Sequence, residues 1–269
     1  VIYCAIGGMR SKLTQQWLKD AGLNVPRVHL GYKGLRNYSL SVLETLDHPM
    51  IVLSGNTGTG KTDLLQKFSS TIDLEGLANH HGSAFGKNIT PQPAQATFEN
   101  SLAINCVQKA QRSIWLLEDE SRCIGKVHLP ETLHTKMAMA PLVIIDESLE
   151  SRLLRIAQLY FSDMSNRYRA VYGEEDGWTA YAEYLTKGLS ALQKRLGGVR
   201  FSALEQKLSA ALEEQYATNS IEKHYEWLSL LLTDYYDPMY AYQLDKKKDR
   251  IIFRGDFEAV QSYLAEKSA

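Results

Sequence analysis

Residues 50–62 read Met-Ile-Val-Leu-Ser-Gly-Asn-Thr-Gly-Thr-Gly-Lys-Thr, an unbroken apolar run that ends in a glycine-rich turn closed by Lys-Thr. An apolar run without alternation suits a strand covered on both faces, as in a parallel sheet. The pattern G-x-x-x-x-G-K-[ST] is then met by Gly55, Asn56, Thr57, Gly58, Thr59, Gly60, Lys61 and Thr62. Glycines let the backbone curl until successive N–H groups face one anion, and the helix that follows adds its positive end. Lys61 would place its ammonium on the outer phosphate oxygens, and Thr62 would offer a hydroxyl to a bound Mg²⁺. ATP, GTP or any diphosphate satisfies such a loop.

Around this motif the chain reads as α/β, with mostly parallel strands covered on both faces. Strands are expected at 1–3, 28–30, 50–53, 71–74, 113–117 and 142–145, with helices at 11–20, 32–46, 61 onward and 94–110. Leu13 and Trp17 are expected on the inner face of the first helix, at i, i+4. Residues 75–93, polar and glycine-rich, read as a functional loop too long for a plain connection. Beyond about residue 150 the periodicity turns helical. The last stretch, 240–244 and 250–253, alternates like a small hairpin before a terminal helix. The division is residues 1–48, 49–150 and 151–269.

The 269 residues are 44% hydrophobic and 23% charged, as in ordinary globular proteins. A net charge of -1 supplies no overall attraction to nucleic acid, so an RNA partner would need a local basic patch. Three widely spaced cysteines argue against a disulfide framework or a zinc cluster and point to a reducing, cytoplasmic setting. No apolar run reaches the roughly 18 residues of a membrane span. The chain opens Val-Ile-Tyr-Cys without an initiator Met, and a strand there needs partners, so a fragment lacking earlier residues is expected.

Cys4-Ala-Ile-Gly-Gly-Met-Arg10-Ser11 forms a second constellation. A Cys after a strand, a glycine-rich curl, Arg10 and a helix start together favour thiolate over thiol. Rhodanese-like sulfur carriers and Cys-dependent phosphatases both use this spacing. Asp73, Glu118, Asp119 and Asp146 stand at strand ends, where carboxylates can serve a cation. No metal-ligand cluster is assigned. Arg152 and Arg155, near one face of a helix, are placed to clamp a phosphate. His80 and His81 are adjacent and diverge, so they read as loop contacts.

Taken together, Tyr3-Cys4…Gly7-Gly8-Met9-Arg10-Ser11, Gly31-Tyr32-Lys33, the phosphate loop, Asp73-Leu74-Glu75, the segment His80 to Gly86, and Glu118-Asp119-Glu120-Ser121-Arg122 resemble the tRNA 2-selenouridine synthases. The resemblance implies the C-terminal part of a rhodanese-like domain, a P-loop domain similar to those that bind nucleotides, and a helical C-terminal region. It further implies a cytoplasmic transferase with tRNA as its partner. Wobble 2-thiouridine would be S-geranylated from geranyl diphosphate, then selenated from selenophosphate. Cys4, with Arg10, would carry selenium. Gly55 to Thr62 would hold the diphosphate, with Mg²⁺ as a compatible helper and no protein partner or membrane implied; Arg152, from its helical face, joins them as a candidate phosphate ligand. A P-loop ATPase or small-molecule kinase with a fused sulfur carrier, and a non-catalytic nucleotide sensor, are the competing readings. Lys187, Lys194, Arg195, Arg200 and Lys246 to Lys248 are candidates for a tRNA-facing patch, though a solvated helix face explains them as simply.

Overall fold

The computed structural model describes residues 1–268. Its centre is a parallel four-stranded sheet in the order β2-β1-β5-β6, with β1 Met50–Gly55, β2 Trp115–Glu118, β5 Leu142–Ile145 and β6 Ile251–Gly255. A separate antiparallel hairpin joins β3 Cys123–Ile124 to β4 Val127–His128. β1 lies between β2 and β5, with Leu53 opposite Glu118 and Gly55 opposite Ile145. All six of its residues are buried, as the unbroken apolar run requires.

Side chains that alternate along the strands supply two different cores. Met50, Val52, Leu117, Leu142 and Ile144 pack with Leu43, Phe98, Leu102 and Leu133 on one face. Ile51, Leu53, Leu116, Val143 and Ile145 pack with Leu64, Leu65, Val260 and Leu264 on the other. The result is three layers, helix–sheet–helix, with the phosphate loop at the carboxyl end of a central strand.

From Leu149 the chain forms a helical unit with its own core around Phe161, Tyr181, Leu208 and Trp227. His224 is buried within it: its Nδ1 accepts from the Trp227 indole at 2.9 Å and its Nε2 meets the Gln215 amide oxygen at 2.9 Å. Burial holds its pKa down at about 4, so this imidazole is a neutral packing group. Two π-helical turns interrupt the helices of this unit, at Gln158–Asp163 and Leu232–Tyr236. Such turns occur often at functional sites.

Several local expectations are corrected. Residues 240–253 make no hairpin: Asp237–Asp245 is helical, and Ile251–Gly255 returns to the sheet as an edge strand parallel to β5. Alternation in β6 arises because one of its faces packs on Val260 and Phe257 while the other meets solvent. The third region therefore crosses back into the sheet domain. Thr71 makes only a single bridge to Leu116, and Leu74–Ala78 is a short helix capped by the Asp73 carboxylate. Ile2 and Arg27 likewise share one isolated bridge where two strands were expected. Leu13 and Trp17 lie on an exposed face of the helix Met9–Asp20. Among the described residues, no helix is long and apolar enough to cross a membrane.

Candidate functional site

The phosphate loop is set rigidly between the sheet and the first helix of the helical unit. Gly58 sits at φ +85°, and a Cβ there would stand 2.7 Å from Ile156 and 2.9 Å from the Arg152 carbonyl. Gly60 adopts φ +82° beneath Arg155 and Phe257. Both positions need the left-handed backbone and the missing side chain. Thr59 is buried, and its hydroxyl donates to the Asn56 carbonyl at 3.0 Å. The Lys61 ammonium folds over the loop, donating to the Gly55 carbonyl at 3.0 Å and to that of Asn56 at 3.3 Å.

Arg152 is buried, and its guanidinium is taken up by protein partners. Nε donates to the Thr57 carbonyl at 2.8 Å, and the two Nη atoms grip Asp237 at 3.0 and 2.6 Å. Asn56 donates to the same carboxylate at 3.1 Å. Arg152 thus braces the loop from behind and ties it to the helix Asp237–Asp245. Arg155 approaches the Thr59 carbonyl at 3.4 Å and Glu147 at 3.5 Å.

The carboxylates that gather under the loop are not the set expected from strand ends. Glu75, Glu118 and Glu120 place oxygens within 4.8 Å of one another, and the Thr62 hydroxyl donates to Glu118 at 2.6 Å. Desolvation first, and then the Glu75 charge, raise Glu118 to about 7 and Glu120 to about 9. His81 lies 3.7 Å from Glu75, which holds its pKa above the usual value. Three crowded, desolvated acids beside the Thr62 hydroxyl suit a hard, oxygen-seeking divalent cation. Asp73 instead caps a helix, Asp119 pairs with Lys247, and Asp146 pairs with Arg254. Glu75 and Glu120 were visible only within the motifs Asp73-Leu74-Glu75 and Glu118-Asp119-Glu120. Nothing in their spacing shows that a short helix brings the first beside the second.

Beside Thr57 lies an apolar slot walled by Phe85, Ile156, Phe161, Trp227, Leu231 and Tyr236, with a cavity of about 30 Å³. Tyr160 and Ser83 also line it. Both π-helical turns contribute, through Tyr160 and Phe161 from one and Leu232 and Tyr236 from the other.

At the other glycine-rich loop, Cys4 Sγ lies 3.3 Å from the buried Ser11 hydroxyl. That hydroxyl, aided by the backbone around Ile6, Gly8 and Ser11, lowers the thiol to about 6. Gly31 approaches so closely that a Cβ would fall 1.8 Å from the Cys4 carbonyl. Tyr32 and Lys33 donate backbone N–H groups to the Cys4 and Ala5 carbonyls at 2.9 and 3.0 Å. Arg10 is exposed at the second position of its helix, and its side chain makes no ion pair among the described residues. It is Arg27 that reaches into the loop, donating to the Gly7 carbonyl at 2.9 Å. The helix Gly31–Glu44 docks on Gln95–Gln108 through an Arg36–Glu99 ion pair and an Arg36–Asn100 hydrogen bond of 2.9 Å.

Residues 48–269 match the family of the tRNA 2-selenouridine synthase AAA domain. Over 266 residues the chain is 46% identical to the tRNA 2-selenouridine synthase of Proteus mirabilis, covering 98% of this chain and 74% of that relative. It is 45% identical to the protein of the same name from Shewanella oneidensis over 267 residues, 98% of this chain and 71% of the relative. For that of Serratia proteamaculans the identity is 45% over 266 residues, 98% and 72% respectively. No solved structure matches the chain.

Proposed function

From the premise that this chain belongs to the tRNA 2-selenouridine synthase family, we propose that it is a tRNA-modifying transferase that converts wobble 2-thiouridine to 2-selenouridine. In this reading the conversion has two stages, S-geranylation from geranyl diphosphate and then selenation from selenophosphate. The observation that carries the first stage is the apolar slot opening at Thr57, at the edge of an anion cradle. A diphosphate bearing a hydrocarbon tail needs that pairing. A ten-carbon chain exceeds a cavity of about 30 Å³, so this reading requires the slot to widen around the tail.

In the first stage the thiocarbonyl sulfur attacks the carbon bearing diphosphate, and the carbon–oxygen bond breaks. Loop N–H groups from Asn56 to Thr62 and the Lys61 ammonium stabilise charge growing on the departing group. A Mg²⁺ held by Thr62, Glu118 and the adjacent Glu75 and Glu120 would supply further positive charge there. Arg152 and Asp237 keep the loop in place. Alkylation makes the sulfur a thiolate leaving group. In the second stage the selenium of selenophosphate, held at the Cys4 loop, attacks the same ring carbon as geranyl thiolate leaves with the electron pair, and hydrolysis of the selenium–phosphorus bond releases phosphate. A thiol lowered to about 6 is mostly thiolate at neutral pH, as a carrier requires.

Mass spectrometry of thiolated tRNA incubated with the protein, geranyl diphosphate and selenophosphate tests both stages. Lys61→Ala is expected to suppress the geranylated species, and Cys4→Ala to let it accumulate without selenium. Normal selenation by Cys4→Ala would remove the carrier role. Undiminished geranylation by Lys61→Ala would remove the diphosphate assignment.

A further inference from the structure

A second cavity, of about 390 Å³, borders the phosphate loop at Gly55 and Asn56. Its floor is the carboxyl ends of the strands, at Ser54, Asn56 and Asp119, and its roof is the helix Asp237–Asp245 with Tyr240 and Ala241. The volume falls within the range of small-molecule sites, about 300–1,000 Å³. Only one layer of residues divides the two cavities. Thr57 and Tyr236 line the slot, whereas their neighbours Asn56 and Asp237 line this one. The Thr57 hydroxyl meets that of Tyr240 at 3.4 Å, and the rings of Tyr236 and Tyr240 stack with centroids 6.4 Å apart.

The charges rule on what fits. Asp119, Asp146, Asp237 and Asp245 face Lys247, Lys248 and Arg254, so the walls carry no excess of positive charge with which to hold a phosphate. They do offer alternating donors and acceptors. The Asp119 carboxylate is flanked by the Ser54 hydroxyl at 2.8 Å and the Lys247 ammonium at 2.6 Å. A pyrimidine ring N–H can donate to the lone pair that Ser54 and Lys247 leave on the Asp119 carboxylate, and the ring oxygen beside it can accept the remaining Lys247 N–H. Tyr240 supplies an aromatic face beside it, the usual partner of an unstacked base.

We infer that this polar cavity receives the acceptor base, a 2-thiopyrimidine nucleoside turned out of the RNA chain, and brings its sulfur to the loop at Asn56–Thr57 opposite the prenyl donor. The inference rests on the transferase reading above and names the acceptor site within it. The chemistry balances there. The sulfur–carbon bond forms as the carbon–oxygen bond breaks, diphosphate leaves with the electron pair, and the ring N3 proton passes to the Asp119 carboxylate. The product is a neutral S-alkyl nucleoside. A base is needed because the alkylated ring would otherwise keep a positive charge.

The test uses anticodon stem-loops with 2-thiouridine or uridine at the wobble position, and the variant Ala241→Trp, which fills the cavity from an exposed helix position. The wild-type protein is expected to prefer the thiolated stem-loop by about tenfold or more, the scale of a filled specificity pocket. Ala241→Trp should lose that preference and the geranyl transfer, yet keep its melting temperature and bind geranyl diphosphate within about twofold of wild type. Asp119→Asn should lower kcat with little change in KM for the stem-loop. Retained preference and transfer in Ala241→Trp would overturn the assignment while leaving the prenyl reading intact. A wild-type protein that discriminates the stem-loops, loses this on Ala241→Trp and transfers no geranyl would keep the cavity and overturn the prenyl reading.

Discussion

The chain contains two glycine-rich loops built to favour a negative charge, and they differ most in what surrounds them. Gly55 to Thr62 is walled in: Gly58 faces Ile156, Arg152 braces Thr57 from a buried position, and acids close the floor. Cys4 to Ser11 is held through its backbone, by Gly31, Tyr32, Lys33 and Arg27, while Tyr3, Ile6 and Met9 stand in solvent. On the proposed function, the difference matches the charge each loop would handle. A departing diphosphate carries several charges and needs dipoles fixed beforehand in a place that excludes water. A thiolate carries one charge and must be reached by both a donor and an acceptor, so a hydroxyl and a few N–H groups suffice.

The sharpest way to break this contrast is to weaken each loop separately. Lys61→Ala should slow geranyl transfer by about 10²–10³-fold, the usual effect of losing one fixed charge-stabilising donor. The same change should leave the Cys4 alkylation rate unaltered, measured by stopped-flow with iodoacetamide. Next in size is Arg152→Ala, which would leave the half-buried Asp237 carboxylate behind the loop with the Asn56 amide but no cation. Loss of one partner of a buried pair costs about 3–5 kcal/mol, so calorimetry should show the melting temperature falling by roughly 10 °C. A fall of only a degree or two would mean that the brace is dispensable.

On the cysteine side, Gly31→Ala forces a methyl group against the Cys4 carbonyl at a residue with φ +57°. The loop should open and the low thiol pKa should be lost. Ser11→Ala removes the hydroxyl that does most to favour the Cys4 thiolate. Its alkylation–pH profile should shift upward from a midpoint near 6, with thiolate giving way to thiol at neutral pH. An unchanged midpoint would place the activation elsewhere in the loop.

The smallest expected effect concerns the acids. Glu120 is held at about 9, above the ordinary carboxyl value, so ionising it works against the fold as pH rises. Glu120→Gln cannot ionise. In metal-free protein its melting temperature should match wild type near pH 4 and exceed it by a growing margin as the pH rises to 8. Added Mg²⁺ should narrow that gap by stabilising the wild type more than the variant. A variant less stable at both pH values would contradict the crowding of like charges.

How much of this could be read beforehand differs from region to region. β1 and its loop were legible because strand burial and phosphate binding both impose local patterns, at Met50–Leu53 and Gly55–Thr62. The alternation at Ile251–Gly255 suggests half of a hairpin, yet the strand pairs with β5, because alternation reports one solvated face and says nothing of the partner strand. The Cys4 loop was legible as chemistry. Even so, Arg10 is exposed, and the Arg27 that reaches the loop lies twenty residues away in sequence. The Glu75–Glu118–Glu120 cluster and the Arg152–Asp237 pair join residues far apart in the chain, and no spacing rule connects them. Arg152 was read as a ligand to phosphate; its donors go to Thr57 and Asp237.

The central claim is that the phosphate loop serves a diphosphate with an apolar tail rather than a nucleoside triphosphate. Calorimetric titration of the protein with geranyl diphosphate, inorganic diphosphate and ATP in the presence of Mg²⁺ addresses it directly. The account predicts that geranyl diphosphate binds tightest, that Phe161→Asp in the slot reduces its affinity to that of inorganic diphosphate, and that ATP gains nothing from its adenosine. ATP binding more tightly than geranyl diphosphate, with Phe161→Asp affecting neither, would contradict it.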